Sequence, residues 1–544
     1  MTKTTLIVLG AGPSINSYPY GNQIKSPSNL HIGTKLAIEE ISKVYNYKFV
    51  DKKILAVENS NQITYKLKPF NEYEIVSVGK TKNVLETLLK IADSVHTDWC
   101  VINPITTIPV STPKLRGSIY FSDRKFYRED WASIGTLENN KIVFKDRHYK
   151  DSLDKLEFAF TGKIEGNTKE IRLGLEHLIR NKNDDLIDLA EYLYQQKSAE
   201  IEYEKWLDLG HRSTFQNCRY EIISSRYFNN LKYNHKNSTI EKSSLNKKPY
   251  LEGEFIENLP IKLKKYFPTL IEKGITSSQS YLIMEYINYP NLAETYLYAD
   301  IGKNNWNIIM NKINNVLDDF YGYKEIYRGK MEGLYSQKLI DRKKTLEKIL
   351  QAKGYKTLRE LYQSKMIVNG IEIETISQST NNCIKELGRI DKFRYGHIGH
   401  GDLCFNNILC EPISGTLKLI DPKAYETSDT SIMGLNDKLY DIAKLYHSIS
   451  YLYDSIVNNL YSFRMHDNKK IDLKIYKPKE YLLVNKLWND IIKNHKIDKN
   501  ELRIVTASLF YSMLPLHKED EERMLVLSIV GSFILYDHSM KYLI

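Results

Sequence analysis

His400-Gly401-Asp402, with Asn407 five residues after the aspartate, stands ahead of a mostly apolar run, Leu417 to Ile420, that ends on Asp421. Those residue types at that spacing suit one chemistry. Phosphoryl transfer from ATP needs a carboxylate to orient the attacking hydroxyl and oxygen ligands for the Mg²⁺ on the phosphates. Asp402 can be the first; Asn407 and Asp421 can be the second. A short loop would present Asp402 and Asn407 to one pocket. Gly415 marks a hairpin turn between NNILCE and TLKLI, so the return strand would bring Asp421 back beside Asn407.

Such a site needs a nucleotide-holding lobe upstream. A strand over Ser238–Ser243 puts Lys242 late in it, where a lysine could reach the α- and β-phosphates. A helix over Tyr250–Asn258 offers Glu252, Glu254 and Glu257 as its partner. Tyr281 to Ile287 reads as an apolar strand ending in a hinge, where the main chain of Glu285 and Ile287 would hold adenine. Ahead of these, Ala199–Leu207 reads as a linking helix and Tyr220–Ser224 as a strand. Asp208–Thr214 reads as a polar turn able to cover phosphates. Beyond them the chain is mostly helical. Trp306–Phe320 carries an apolar face at Ile309, Ile313 and Val316. Asn369-Gly370 between two apolar runs predicts a hairpin, which would shape the acceptor pocket or a dimer contact. The polar stretch after Asp421, through Lys423 to Asn436, would set acceptor selectivity. A helix beginning at Leu439 carries Asp441, expected to anchor the catalytic loop, and His447, expected to be packed.

The pattern H-G-D-x-x-x-x-N, followed by a hairpin ending I-D, resembles the aminoglycoside phosphotransferase and choline kinase superfamily, whose fold is like that of eukaryotic protein kinases. The resemblance implies Asp402 as catalytic base and Asn407 and Asp421 as metal ligands. W-L-D-L-G-H, R-x-x-F-x-N, K-S-S and E-x-x-x-x-x-x-L-P together resemble sugar- or alcohol-kinase domains of capsule and surface-polysaccharide loci. That likeness implies Lys242 and Glu252 as the phosphate-binding pair.

The first part of the chain has a different pattern. Thr4–Leu9 reads as a buried strand running into Gly10-Ala11-Gly12-Pro13, a strand-to-glycine-loop arrangement suited to nucleotides. Strands at Ile54–Val57, Glu74–Val78 and Trp99–Ile102 with a helix at Asn83–Ile91 predict an α/β sheet. The layout resembles sugar-phosphate and choline-phosphate nucleotidyltransferases. On that resemblance Gly10 and Gly12 match the loop and Lys25 the phosphate lysine. Val78–Asn83 matches the base-holding region and Phe158–Gly162 a late motif. Two features depart from it: the loop has no arginine, and Asn103–Thr107 offers no carboxylate where the family carries its Mg²⁺-binding aspartate. An inactive nucleotidyltransferase-like domain is therefore expected.

The chain has 544 residues, 42% of them apolar and 26% charged, which fits a soluble protein of two or three domains. The net charge of +10 is spread along the sequence, which suits anionic small molecules at least as well as nucleic acid, and no nucleic-acid motif accompanies it; a small-molecule acceptor is expected, with neither nucleic acid nor membrane insertion. Five cysteines without C-x-x-C spacing predict a reduced, cytoplasmic setting. Met524–Tyr536 is too short an apolar run to span a bilayer and reads as a buried helix. The fold expected is an α/β domain with a nucleotidyltransferase-like, Rossmann-like sheet over 1–195. An α+β, two-lobed, protein-kinase-like domain follows, with a small lobe over 196–290 and a large lobe over 291–544. The expected function is phosphorylation of a hydroxyl on a sugar, polyol or amino alcohol by ATP and Mg²⁺, for capsule or surface-polysaccharide synthesis. Two alternatives are a bifunctional kinase and nucleotidyltransferase, and a partner-binding pseudoenzyme. The sequence leaves the oligomeric state open.

Overall fold

A computed structural model of the chain describes residues 3–12, 15–17, 22–24, 27–46, 48–60, 63–114, 116–127, 131–136, 142–146, 156–224, 230–234, 236–325, 335–352, 354–391, 396–423 and 435–544. Lys25 and the stretch 424–434, singled out above, lie outside them. The chain divides into two compact units, Met1–Ile222 and Ile223–Ile544.

Among the described residues the first unit is an α/β structure around a nine-stranded sheet. Thr4–Leu9 is flanked in parallel by Lys52–Val57 and Trp99–Pro104, and Glu74–Ser77 extends the parallel set. All six residues of Thr4–Leu9 are buried, as expected of a strand covered on both faces. Gly10 is fixed by packing: a Cβ there would come within 2.9 Å of Leu55 and 3.1 Å of the Ala56 carbonyl oxygen. The Val84–Ala92 helix starts where the sequence places it, capped by the Asn83 side chain.

Three expectations for the following stretch fail, each for a visible reason. Glu200–Glu204 is a strand and not part of a helix, paired in parallel with Ser118–Tyr127. Its sequence, EIEYE, alternates with the strand period of two. Because this strand completes the first unit's sheet, the units part at 222/223 and not at 195. Arg212–Ser224 is a helix, not a turn followed by a strand, and buries Phe215 and Cys218, three residues apart, on one face. Asp208 lies in a short strand paired with Thr107–Ile108. The Asp208–Thr214 segment thus belongs to the first unit and does not form a phosphate loop in the nucleotide-holding lobe.

The second unit is α+β, with a small and a large lobe. Its small lobe is a four-stranded antiparallel sheet in the order Asn230–Asn234, Thr239–Ser244, Ser280–Glu285, Leu270–Ile275, with the Lys248–Asn258 helix beside it. The large lobe is mostly helical. In the Gly302–Tyr321 helix Ile309, Ile313 and Val316 are all buried, so the predicted apolar face is the packed one. Glu521–Leu535 is buried continuously from Met524 to Leu535 and packs on Lys499–Met513. Met366–Val368 and Ile371–Ile373 form the Asn369-Gly370 hairpin, which also pairs with Lys470–Ile475. Among the described residues, no helix is long and apolar enough to cross a membrane.

Candidate active site

Lys242 comes late in the Thr239–Ser244 strand, as read, and points to the helix beside the sheet. Its ammonium donates to Glu252 Oε2 at 2.5 Å and also to Asp421 Oδ1, 179 residues away in sequence. Glu252 is only 1% exposed. Burial pushes its carboxyl up to about 7 although Lys242 pulls the other way. Burial lowers Lys242's own affinity for its proton, but the two carboxylates outweigh it and raise its pKa. The ion pair therefore joins the small lobe to the strand-end aspartate of the large lobe.

Asp421 closes the predicted hairpin, in which Ile408–Cys410 pairs with Leu417–Leu419 and Gly415 takes the left-handed conformation at φ 66°. Asp421 is itself left-handed, at φ 57°. That conformation strains a residue with a Cβ, and such strain collects at functional sites. The Ile420 N–H donates to the Asn407 carbonyl at 3.0 Å, which sets Asn407 and Asp421 side by side. The Asn407 side-chain amide donates to the Asp402 carbonyl oxygen at 2.9 Å, fixing the side chain with its own oxygen turned away.

Asp402 is 8% exposed and lies between two lysines. Lys444 is 2.9 Å from its Oδ1 and Lys423 2.6 Å from its Oδ2. Burial would raise this carboxyl, but Lys444 and then Lys423 overcome it and hold it well below the usual carboxylate range. Neither lysine was read as a site residue from sequence. A weak signal existed: Lys444 is three residues after Asp441, on the same helix face, and Lys423 follows Asp421 by two.

The loop carrying Asp402 is held from behind. Asp441, on the Lys438–Ile449 helix, accepts from the His400 N–H at 2.8 Å and the Gly401 N–H at 2.9 Å. Burial raises its carboxyl to about 7, against those two donors. His400 is fully buried and stacks on Phe267, with centroids 6.2 Å apart and planes 8° apart. Its Nε2 lies 3.0 Å from the Ile420 carbonyl oxygen, and its Nδ1 accepts from the Asp402 N–H at 3.2 Å. These partners require the neutral tautomer with its proton on Nε2. Burial lowers the ring's pKa to about 4, in keeping with that form. Asn406, beside Asn407, donates to Asp454 at 2.7 Å. His447 is buried and stacks on Tyr453, with centroids 4.3 Å apart.

Glu285 ends the Ser280–Glu285 strand, next to the strand of Lys242, whose register partner there is Leu282. The Glu285 carboxylate accepts from the Thr269 hydroxyl at 2.9 Å. Among the described residues, the main-chain N–H of Ile287 makes no hydrogen bond.

In the first unit the corresponding strand end differs. Asn103 is completely buried, and its amide donates to the carbonyls of Pro104 at 2.8 Å and Thr107 at 2.9 Å. The Thr107 hydroxyl donates in turn to Thr161. The only carboxylates near the adjacent buried Lys163 are Glu204 and Glu165, which pair with it among the described residues.

No family model matches the chain and no curated protein does. Among solved structures it is similar to 2-C-methyl-D-erythritol 4-phosphate cytidylyltransferase from Thermus thermophilus, at 10% identity over 41% of this chain and 100% of that one, with a TM-score of 0.28. It is similar to an aminoglycoside-3'-phosphotransferase of type VIII, at 12% identity over 53% of this chain and 90% of that one, TM-score 0.32. A thermostable mutant of aminoglycoside phosphotransferase APH(4)-Ia shows 10% identity over 55% of this chain and 87% of that one, TM-score 0.34. The nucleotidyltransferase likeness falls on the N-terminal region.

Proposed function

We propose that the second unit transfers the γ-phosphoryl group of ATP to a hydroxyl of a small molecule. One observation carries this reading: Lys242, Glu252 and Asp421 are joined by hydrogen bonds, while Asn407 ties Asp421 to the Asp402 loop. Two stretches far apart in sequence, 242–252 and 402–421, would thereby supply a phosphate-binding cation, its anchor, two oxygen donors and an orienting carboxylate.

Asn407 and Asp421 would hold Mg²⁺. One carboxylate and one amide oxygen fit that ion, which takes its remaining ligands from phosphates and water. Among the described residues no cluster of three or more histidine, cysteine or acidic side chains forms a protein-only metal cage. When bound, the ion would neutralise phosphate charge. Lys242 would donate to phosphate oxygens, and the main chain at Glu285 and Ile287 would hold adenine. Asp402, kept anionic by two ammoniums, is a weak base but a permanent acceptor, so its work is to aim the hydroxyl. The acceptor oxygen bonds to the γ-phosphorus and the bond to the β–γ bridging oxygen breaks, its electron pair leaving on ADP. The hydroxyl proton, hydrogen-bonded to Asp402, is lost only as the new P–O bond forms and makes it acidic, and leaves by way of Asp402 to solvent.

The acceptor is a sugar, polyol or amino alcohol, and the product serves a surface polysaccharide; the motif resemblance to capsule-locus kinases supports this. Five free, buried cysteines support a reducing compartment such as the cytoplasm. The test is label transfer from γ-labelled ATP, with the full chain and a panel of hydroxylated compounds. Transfer that Asp402→Asn abolishes is the expected result. A chain that fails to bind Mg-ATP in calorimetry ends the proposal.

A further inference from the structure

The charge around Asp402 points to what the acceptor carries besides its hydroxyl. Three ammonium groups collect on this side of the large lobe. Lys444 and Lys423 contact the two oxygens of Asp402. Lys338, from the Ser336–Leu350 helix, donates to the Tyr440 hydroxyl at 2.7 Å and lies 4.9 Å from the centre of that ring. Tyr440 is one turn before Lys444 on the same helix, and the Lys444 ammonium is 6.0 Å from its ring centre.

The nearby carboxylates, Asp402 apart, are committed elsewhere. Asp441 takes the N–H groups of His400 and Gly401. Asp437 takes the Tyr335 hydroxyl and the Leu439 N–H. Asp454 takes Asn406. Asp421 is taken by Lys242. Among the described residues Asp402 is thus the carboxylate paired with both Lys423 and Lys444, two ammoniums on one anion. Lys444 is built in, its side chain 11% exposed, whereas the Lys423 side chain is 48% exposed. The Lys423 N–H is pinned to the His400 carbonyl at 2.7 Å, so its base is fixed and its partly exposed side chain ends on Asp402. A pocket built for polycations would show the opposite sign.

We infer that the acceptor is a hydroxylated small molecule that already bears an oxyanion, a phosphate or a carboxylate. Lys423 grips the oxyanion, with Lys338 on Tyr440 adding positive charge to the same side, while Asp402 aims the hydroxyl. This rests on the kinase reading above and narrows it: amino alcohols and neutral polyols become poor acceptors.

The experiment uses the full chain, γ-labelled ATP and matched acceptors. One set is glycerol, glycerol 3-phosphate, glycerate and ethanolamine; the other is glucose, glucose 6-phosphate, gluconate and glucosamine. A charge-assisted contact of about 1.5–3 kcal/mol corresponds to about 10–100-fold, so the anionic members should lead in kcat/KM by at least about tenfold. The phosphate and carboxylate arms tell which oxyanion is meant. Lys423→Gln should raise the KM for the anionic acceptor about tenfold and leave the KM for ATP within about twofold. A neutral or amino member that leads its set overturns the inference. So does a Lys423→Gln variant whose KM changes for ATP and not for the acceptor, because the lysine would then serve the γ-phosphate. If no member is turned over, inorganic phosphate is titrated into the protein loaded with Mg-ADP. Binding that is lost in Lys423→Gln and in Lys338→Gln upholds the inference, and absence of binding overturns it. Failure to bind Mg-ADP would bring down the kinase reading itself and this inference with it.

Discussion

Asn103 and Asp421 each stand at or just past the end of a strand, one in each unit, and they are used in opposite ways. Asn103 is sealed from solvent and gives both its donors to carbonyls within four residues of itself. Asp421 is half-exposed, left-handed, and held by a lysine from the other lobe of its unit. In the first unit the polar group stabilises a turn. In the second it is kept charged and reachable at a cost in backbone strain, which a fold carries only where surrounding contacts impose it. The lesson concerns partners more than residue types: short-range main-chain bonds mark a structural polar group, long-range ionic ones a site in waiting.

The largest effect that would sharpen this contrast is at Asp402. Asp402→Asn keeps the shape and removes the charge that aims the hydroxyl, so kcat should fall by about 10²–10⁴-fold. Mg-ATP affinity, measured by calorimetry, should stay within about threefold. Turnover within about threefold of the parent would break the reading of Asp402 as the orienting carboxylate.

Lys242→Met comes next. Loss of a charged donor to phosphate costs about 1.5–3 kcal/mol, so the KM for ATP should rise about 10–100-fold. The change also leaves Glu252 buried without its cation. Breaking a buried pair in this way costs about 3–5 kcal/mol of stability, whereas removing both charges is far milder. Adding Glu252→Gln should therefore recover much of the melting temperature lost in Lys242→Met and none of the ATP affinity. Recovery of both together would mean that Lys242 only braces the lobes.

Much of this arrangement was legible in sequence, because its signals are local. The hairpin showed through Gly415 and its flanking apolar runs, and the Lys242 strand and Glu252 helix through short motifs. The two lysines on Asp402 were not legible, since contact across a loop and a helix leaves no periodic trace among 77 basic residues. The boundary at 222 was missed for a related reason. Glu200–Glu204 joins a sheet whose partner strand begins more than 80 residues earlier, and its period-two alternation was overridden by the helical look of the segment before it.

Asn103→Asp tests the other side of the comparison. If the first unit lacked only a carboxylate, this change would supply it. The structure argues otherwise, because the new oxygen would face the carbonyls of Pro104 and Thr107 in place of two N–H donors. A buried, unsatisfied acceptor costs about 1–3 kcal/mol, and more when charged. The variant should melt several degrees lower and gain no pyrophosphate release from nucleoside triphosphates. A gain of such activity without loss of stability would show a latent metal site there.

The smallest effect expected is a pH dependence at His400. The ring is held neutral with its pKa lowered to about 4, against about 6.5 when unfolded. Between those values the unfolded chain binds the proton and the folded chain does not, so acidification from pH 6.5 to 4 favours unfolding. The full contribution is about 3 kcal/mol at most, present above pH 6.5 and lost as pH falls toward 4. Glu252, Asp441 and Asp454, all raised to about 7 by burial, act in the opposite sense over nearly the same range. They hide the His400 slope in the parent protein, but they cancel when it is compared with a variant. His400→Gln can keep a donor toward the Ile420 carbonyl without a titrating ring. Urea melts at pH 4 and pH 7 should show the parent losing about 1–3 kcal/mol relative to this variant on acidification. An equal difference at both pH values would mean that the ring does not titrate, and the neutral Nε2–H form would have to be held by something other than burial.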